Sequence, residues 1–443
     1  MDGGVIHRQA IDRGLDIHPS RKAIVVHYAL EAVATNEFGE PVVADSKDCA
    51  KIINIKGLSR TTNVPNLAKH IVESCNLIDP AKLPVVEQLL LYLQARRSTK
   101  EGEAEKDVLE ASTKKLQKQI EDRENSEEAS MVELDVYVEG LYDDLHAKTK
   151  STELILQLAR LPENLIELAN NNSLLLALSR VLRDDWKKSI DLTTNIMFFF
   201  FCFSTFSDFH RLLTQHKIGS LCMTVVEHEL KRHRALQDDV SKKKKEVKVA
   251  DGTTTAKREY EKAKKKYHSL LKKQDTLLRV CLYLLCNLAE DTRVELKMHG
   301  KGLVKHLLAL LERENTELLI LAVSFLKKMS IFRENKDQMA EGNIVKKLVR
   351  IFPNKNEVLL NMTLRLLLNL SFDPALRLEI VRGALLPELT ALLDKESHVK
   401  VVLSILYHIS FDSKYRAVFA YTDCIPKLMK MIVNVRKIDL NQK

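Results

Sequence analysis

The stretch "HELKRH" (228–233) comes nearest in this chain to a catalytic signature. Zinc proteases carry two histidines four apart on one helix, with a glutamate beside them as general base. Here His228 and His233 are five apart, which turns them about 140° from each other around a helix axis and off any shared ligand face. The other histidines, fourteen in all, are scattered. No GxGxxG or GxxxxGK[ST] occurs to cradle a phosphate, and no serine sits in a GxSxG elbow. The seven cysteines (Cys49, Cys75, Cys202, Cys222, Cys281, Cys286, Cys424) form no CxxC pair. Their odd number, and the apolar helical patterns around several of them, read as buried free thiols in a reducing compartment. The sequence holds no catalytic constellation and calls for no metal and no cofactor, so its chemistry must be that of binding.

The binding candidates recur at a fixed beat. "LCNLA" (285–289), "LKKMS" (326–330), "LLNLS" (367–371) and "LYHIS" (406–410) each end a long apolar pattern, and their central residues Asn287, Lys328, Asn369 and His408 are spaced 41, 41 and 39 apart. Each stretch is followed by a polar loop, a short helical turn and a second pattern: "GLVKHLLALL", "GNIVKKLVRIF", "GALLPELTALL" and "DCIPKLMKMI". A period near 40 with this order predicts stacked three-helix repeats of the armadillo type. Pro387 and Pro426 fall early in their helices, where a missing amide hydrogen costs little. "FFCFS" (200–204) and "ILQLA" (155–159) fit the same frame, with Cys202 and Gln157 at its centre. From Cys202 to Asn287 is 85 residues, one repeat plus an insertion.

This frame accounts for four consecutive phenylalanines at 198–201. The uninterrupted apolar run Ile196–Phe203 is far short of the roughly 20 residues needed to cross a bilayer. As the third helix of a repeat, it is apolar all round because its own repeat and both neighbours cover it. The N-terminus has no apolar block to serve as a signal peptide, and its glycines at 3 and 4 are not at the myristoylation position.

The 443 residues exceed what one compact core serves, so several domains or an extended core are required. We expect a mainly α protein in three parts. Residues 1–97 form a small α+β unit, with strands in 22–33 and 51–58, a turn at 36–41 and two amphipathic helices. Residues 98–130 form a charged linker, partly helical or disordered. Residues 131–443 form the array of about six repeats, the last incomplete, begun by an acidic capping element at 133–145. Within the array, 231–275 carries 16 Lys/Arg against 7 Asp/Glu, which accounts for the whole net charge of +9. It reads as a long basic helical hairpin, with turn residues at 249–256 and a seam at Tyr260, Tyr267, Leu270, Leu271, Gln274, Leu277 and Leu278. Lys242, Lys243, Lys244, Lys245, Lys264, Lys265 and Lys266 are its candidate contacts. A solvated hairpin, a docking arm for an acidic segment, and a nucleic-acid or anionic-membrane contact all remain open; the lack of a basic-aromatic stacking module argues against nucleic acid.

In armadillo arrays the third helices line the concave face. Resemblance to that family implies that Asn287 and Asn369 could hold the backbone of an extended partner, with Lys328, Arg365 and His408 beside them. Local hydrogen bonding is the competing role for the asparagines. Nuclear-import adaptors of the class carry tryptophan one turn earlier, where this chain has Tyr283, Ser324, Arg365 and Ser404, which argues against import-signal binding. More specific runs resemble the kinesin-associated protein family, the non-motor subunits of heterotrimeric kinesins. They include "VLRDDWKKS" (181–189), "FFCFSTFSDFH" (200–210), "LLCNLAEDTR" (284–293), "ELLILAVSFLKKMSIFRENK" (317–336) and "FAYTDCIPKLMKM" (419–431). The resemblance covers nearly the whole chain. It implies a non-enzymatic adaptor in the cytoplasm and cilium, forming a heterotrimer with two motor chains, binding the motor subunit tails and linking them to cargo proteins on microtubules. An armadillo-type regulator of a small GTPase, or another peptide-binding scaffold, is the alternative. That family's array runs on for further repeats, whereas "VRKIDLNQK" supplies no third helix, so a fragment, short isoform or truncated gene product is expected.

Overall fold

A computed structural model describes residues 7–17, 23–35, 41–55, 58, 62–95, 111, 113–116, 118, 128–249, 254–289, 298 and 300–441. Two compact units organise it. One contains residues 1–108 and 327–443, and the other residues 109–326.

The first unit opens with strands β1 (His7–Ile17), β2 (Ala23–Thr35) and β3 (Pro41–Asn54) in an antiparallel meander of that order. Alternation in "AIVVHYA" puts Ile24 and Val26 in the core and leaves Val25 and His27 half-buried. Ile24 pairs with Ile17 on one side and with Ile53 on the other. The ladder between β1 and β2 slips between Asp12 and Gly14. There the Asp12 carboxylate accepts the Gly14 amide at 2.8 Å, and Gly14 takes a φ of 140°, which a side chain would resist. Sequence pattern missed β1 and started β3 ten residues late. Both are outer strands with interspersed charges, a tolerated feature of sheet edges, and their order comes from hydrogen bonding to β2 rather than from their own periodicity. Most of the expected 36–41 turn lies outside the described residues. Helices α1 (Val64–Ser74), capped by Asn63, and α2 (Leu83–Ala95) bring Val64, Ile71, Val86, Leu90 and Leu93 to the same core. Phe372 from the repeat array packs against it.

The array follows the expected frame. In chain order come α3 (Leu134–Gly140), α4 (Leu145–Ala159), α5 (Leu165–Asn170), α6 (Asn172–Asp184), α7 (Ile190–Ser204), α8 (His210–Gln215), α9 (Ile218–Val249), α10 (Thr254–Leu288), α11 (Leu303–Leu310), α12 (Thr316–Met329), α13 (Arg333–Glu341), α14 (Ile344–Val349), α15 (Glu357–Leu370), α16 (Pro374–Arg382), α17 (Leu385–Ala391), α18 (Val399–Phe411), α19 (Ser413–Arg416) and α20 (Cys424–Asn441). Third helices α4, α7, α12, α15 and α18, with the last turns of α10, end at the predicted places. An independent marker confirms the register. Lys217, Gly302, Asn343 and Ala384 all have positive φ (57°, 76°, 55° and 55°) at the entry to a second helix, each fifteen residues after Cys202, Asn287, Lys328 and Asn369.

The phenylalanines of α7 are core. Phe198, Phe199, Phe200 and Phe203 are at most 1% exposed. Phe199 packs on Phe200 and Phe203 with centroids 5.3 and 4.9 Å apart, and Phe203 meets Phe209 at 5.1 Å. Among the described residues no single helix is long and apolar enough to cross a membrane. Of the expected linker, residues 113–116 are helical and Leu116 is fully buried; most of the rest lies outside the described residues. On α20, Ile425, Met429, Ile432 and Val433 are each about half exposed.

Two outcomes test this register. Phe200→Asp should abolish the cooperative thermal melt of the array. Gly302→Ala meets open space yet should cost about 1 kcal/mol in urea unfolding, because only backbone strain is added, whereas Ala384→Gly should be neutral or stabilising by up to about 1 kcal/mol.

Candidate functional site

The candidate residues sit where each third helix must be terminated. A helix end leaves carbonyls without partners, and these repeats satisfy them with side chains. Ser204, Ser330, Ser371 and Ser410, each two places after the frame residue, donate their hydroxyls to the carbonyls of Phe201, Lys327, Leu368 and Tyr407 at 2.7–2.8 Å. A polar side chain six residues after the carbonyl it serves closes another: Asn164 to Leu158, His210 to Ser204, Asn335 to Met329, Arg377 to Ser371 and Arg416 to Ser410, at 2.9–3.0 Å.

The serine oxygen then receives the frame residue of the next repeat. Asn287 Nδ2 donates to Ser204 Oγ at 3.0 Å. Asn369 Nδ2 donates to Ser330 Oγ at 3.0 Å and to the Lys327 carbonyl at 3.1 Å. His408 Nδ1 lies 2.7 Å from Ser371 Oγ. Because that hydroxyl gives its hydrogen to Leu368, Nδ1 carries the proton, and the ring packs on Phe372 at 4.3 Å. Asn369 and His408 are buried, at 7% and 4% exposure. These side chains latch one repeat to the next. The serines went unread, although four of the six frame stretches end in one.

The remaining candidates differ in exposure. Lys328 and Arg365 are half-buried on α12 and α15, with Arg365 Nε donating to Asn361 at 3.2 Å. Lys400 and Tyr407 are exposed on α18, and Ser404 is half-buried between them. Gln157 accepts the Ala129 amide at 3.1 Å. Cys202 is buried, which pushes its thiol up to about 12. The "HELKRH" histidines do not converge. His228 stacks edge-on to Trp186 at 4.8 Å, and His233 Nε2 meets the Tyr267 hydroxyl at 2.9 Å. Among the described residues no group of His, Cys, Asp and Glu is placed to hold a metal.

The insertion is a helical hairpin. α9 and the first half of α10 pack along each other, and α10 continues unbroken into the third helix of its repeat. Lys242, Lys244, Lys245, Lys265 and Lys266 are exposed, while Lys243 and Lys264 are half-buried. Lys264 lies over the Tyr260 ring at 5.9 Å. At the root, buried Gln274 donates to the Glu229 carboxylate at 2.7 Å and accepts from Arg313 at 3.2 Å. Arg279 pairs with Glu317 beside them. Burial raises Asp275 and lowers Arg313, which face each other at 3.7 Å. No motif announced this cluster, since its members come from helices far apart in sequence.

Repeated three-helix units, joined among the described residues by the polar groups at their ends, define an armadillo-type scaffold. The family described as Kinesin-associated protein (KAP) matches residues 12–442, and the chain belongs to that family. Among solved structures, a designed armadillo repeat protein in complex with the peptide (KR)4 aligns with a TM-score of 0.43 and 14% identity, over 62% of this chain and 99% of that one. A computationally designed armadillo repeat protein for modular peptide recognition aligns with a TM-score of 0.44 and 15% identity, over 62% and 99%.

The latch at His408 is sensitive to acid. Desolvation, reinforced by the Arg377 charge, lowers this imidazole to about 4 from 6.5. The unfolded chain therefore takes up the proton first, and stability present above pH 6.5 is lost as pH falls towards 4. The loss from this residue is on the order of 3 kcal/mol at most. His233, lowered to about 4 chiefly by burial, adds in the same direction. His408→Asn should keep the latch and flatten the fall in urea-unfolding free energy between pH 7 and 5; an unchanged slope would assign the acid sensitivity elsewhere.

Proposed function

We infer that this protein is a non-enzymatic adaptor that binds the tails of the motor subunits of a heterotrimeric kinesin and links the motor to cargo on microtubules, including ciliary ones. The observation carrying this reading is the family match over residues 12–442. The lack of a reactive constellation in the sequence agrees with it. The heterotrimer with two motor chains, the cargo link and the cytoplasmic and ciliary setting belong to the same proposal.

Within the array, the proposed tail contacts lie on the same third helices as the latches. Lys328, Arg365, Lys400 and Tyr407 present cationic heads and one aromatic ring, the residue types that anchor polypeptide interfaces. Asn287, Asn369 and His408 support those contacts by holding adjacent repeats in register.

Co-purification with motor tail peptides tests the proposal. Intact protein should retain the tails, and a variant lacking residues 231–275 should still retain them. Lys328→Glu combined with Arg365→Glu should weaken binding at least about tenfold without changing the melt. Catalysis of nucleotide release from a small GTPase by this chain alone, with no tail binding, would replace the adaptor by the regulator reading.

A further inference from the structure

The basic hairpin has a construction that the tail-binding face does not explain. It is pre-organised at its root and charged at its far end. Along the hairpin, His233 and Tyr267 join the two helices at 2.9 Å, and Gln274 fastens them to Glu229 and Arg313 within the buried root. Fixing the arm in advance lowers the entropy lost when something binds to it.

We propose that this arm is a second docking element, taking a disordered acidic polypeptide. Three observations select that occupant. Lys242, Lys244 and Lys245 are exposed on α9 and span about 160° of its surface, Lys243 is half-buried and pairs with Asp239 at 3.8 Å, and the exposed Lys265 and Lys266 of α10 add charge from the second helix of the rod. A flat bilayer or a rigid duplex meets one side of such a rod, whereas a flexible chain wraps it. The charges are mostly lysine, with Arg232, Arg234 and Arg258 the only arginines among 16 basic residues of 231–275. Lysine is a hydrated point charge rather than the planar fork that grips phosphate in two places. The arm's aromatics are already engaged. Tyr267 is bonded to His233 and Tyr260 lies beneath Lys264, so neither is offered as a platform for stacked bases. Encounter driven by such a field is fast and sensitive to salt.

The test uses the full chain and a labelled, disordered poly-glutamate peptide, measured by fluorescence anisotropy. Wild type should bind, and raising salt from about 50 to 200 mM should weaken binding at least tenfold. Reversing five of the exposed lysines (Lys242→Glu, Lys244→Glu, Lys245→Glu, Lys265→Glu and Lys266→Glu) takes the segment from +9 to −1 and should abolish binding. The same five positions changed to arginine should retain it, which separates charge from folding. The charge-reversed protein should still co-purify with motor tails, so this proposal and the adaptor reading fail separately. Equal peptide affinity in wild type and the reversed variant overturns the proposal. So does tighter binding, at the higher salt, to a DNA duplex or to phosphatidylserine vesicles than to the peptide.

Discussion

The third helix of each repeat is apolar on nearly every side, and only adjoining helices can cover it. α7 states the constraint most plainly, because none of its five phenylalanines could face water without a loss of roughly 1.5–3 kcal/mol each. Stacking removes that surface from solvent but also buries the polar end of each third helix, where carbonyls need donors. The serine two places after the frame residue and the polar side chain six residues beyond each carbonyl meet this need. The next repeat's Asn or His then joins the serine. Apolar burial holds the repeats together, and at the three junctions where it forms this hydrogen-bonded rung ties one repeat to the last.

The pairing is visible along the chain once the rung is known. Ser204, Ser330 and Ser371 precede repeats whose frame residues are Asn287, Asn369 and His408. Ala159 and Ala289 precede Cys202 and Lys328. A hydrogen-bonding frame residue occurs where the preceding repeat offers a hydroxyl. Where it offers a methyl group, the frame residue is something else. The same accounting identifies the side chains consumed by rungs and caps; on the same helices Lys400 and Tyr407 are exposed, and Lys328 and Arg365 are half-buried. It also explains how an arm can be added without breaking the array. α10 is the return limb of the hairpin and, further along, a third helix, so the insertion inherits its anchorage from the core.

Much of the architecture was legible because repeats speak several times. One stretch such as "LLNLS" is ambiguous, but four at one beat with two more in the same frame define it, and the basic hairpin followed as the remainder. The N-terminal sheet was only partly readable. β2 declares itself by alternating Ile, Val and Ala, while "HRQAIDRGLDI" becomes a strand only because β2 offers it hydrogen bonds. At the candidate site, sequence marked the frame positions and left open what they do. A frame asparagine looks the same whether its amide reaches a partner's backbone or the neighbouring repeat, and burial, which decides between them, is a property of the stack. Of the root cluster of Glu229, Gln274, Arg279 and Arg313, sequence marked only Gln274, as part of the seam, since the members meet only after α9, α10 and the segment before α12 are packed.

A double-mutant cycle between Ser330→Ala and Asn369→Ala bears most directly on the rung. If the hydroxyl and amide couple neighbouring repeats, urea unfolding should give an interaction energy of about 1 kcal/mol, with the double variant less destabilised than the sum of the single ones. Strict additivity of the two substitutions would contradict the account, leaving apolar burial alone to set the register.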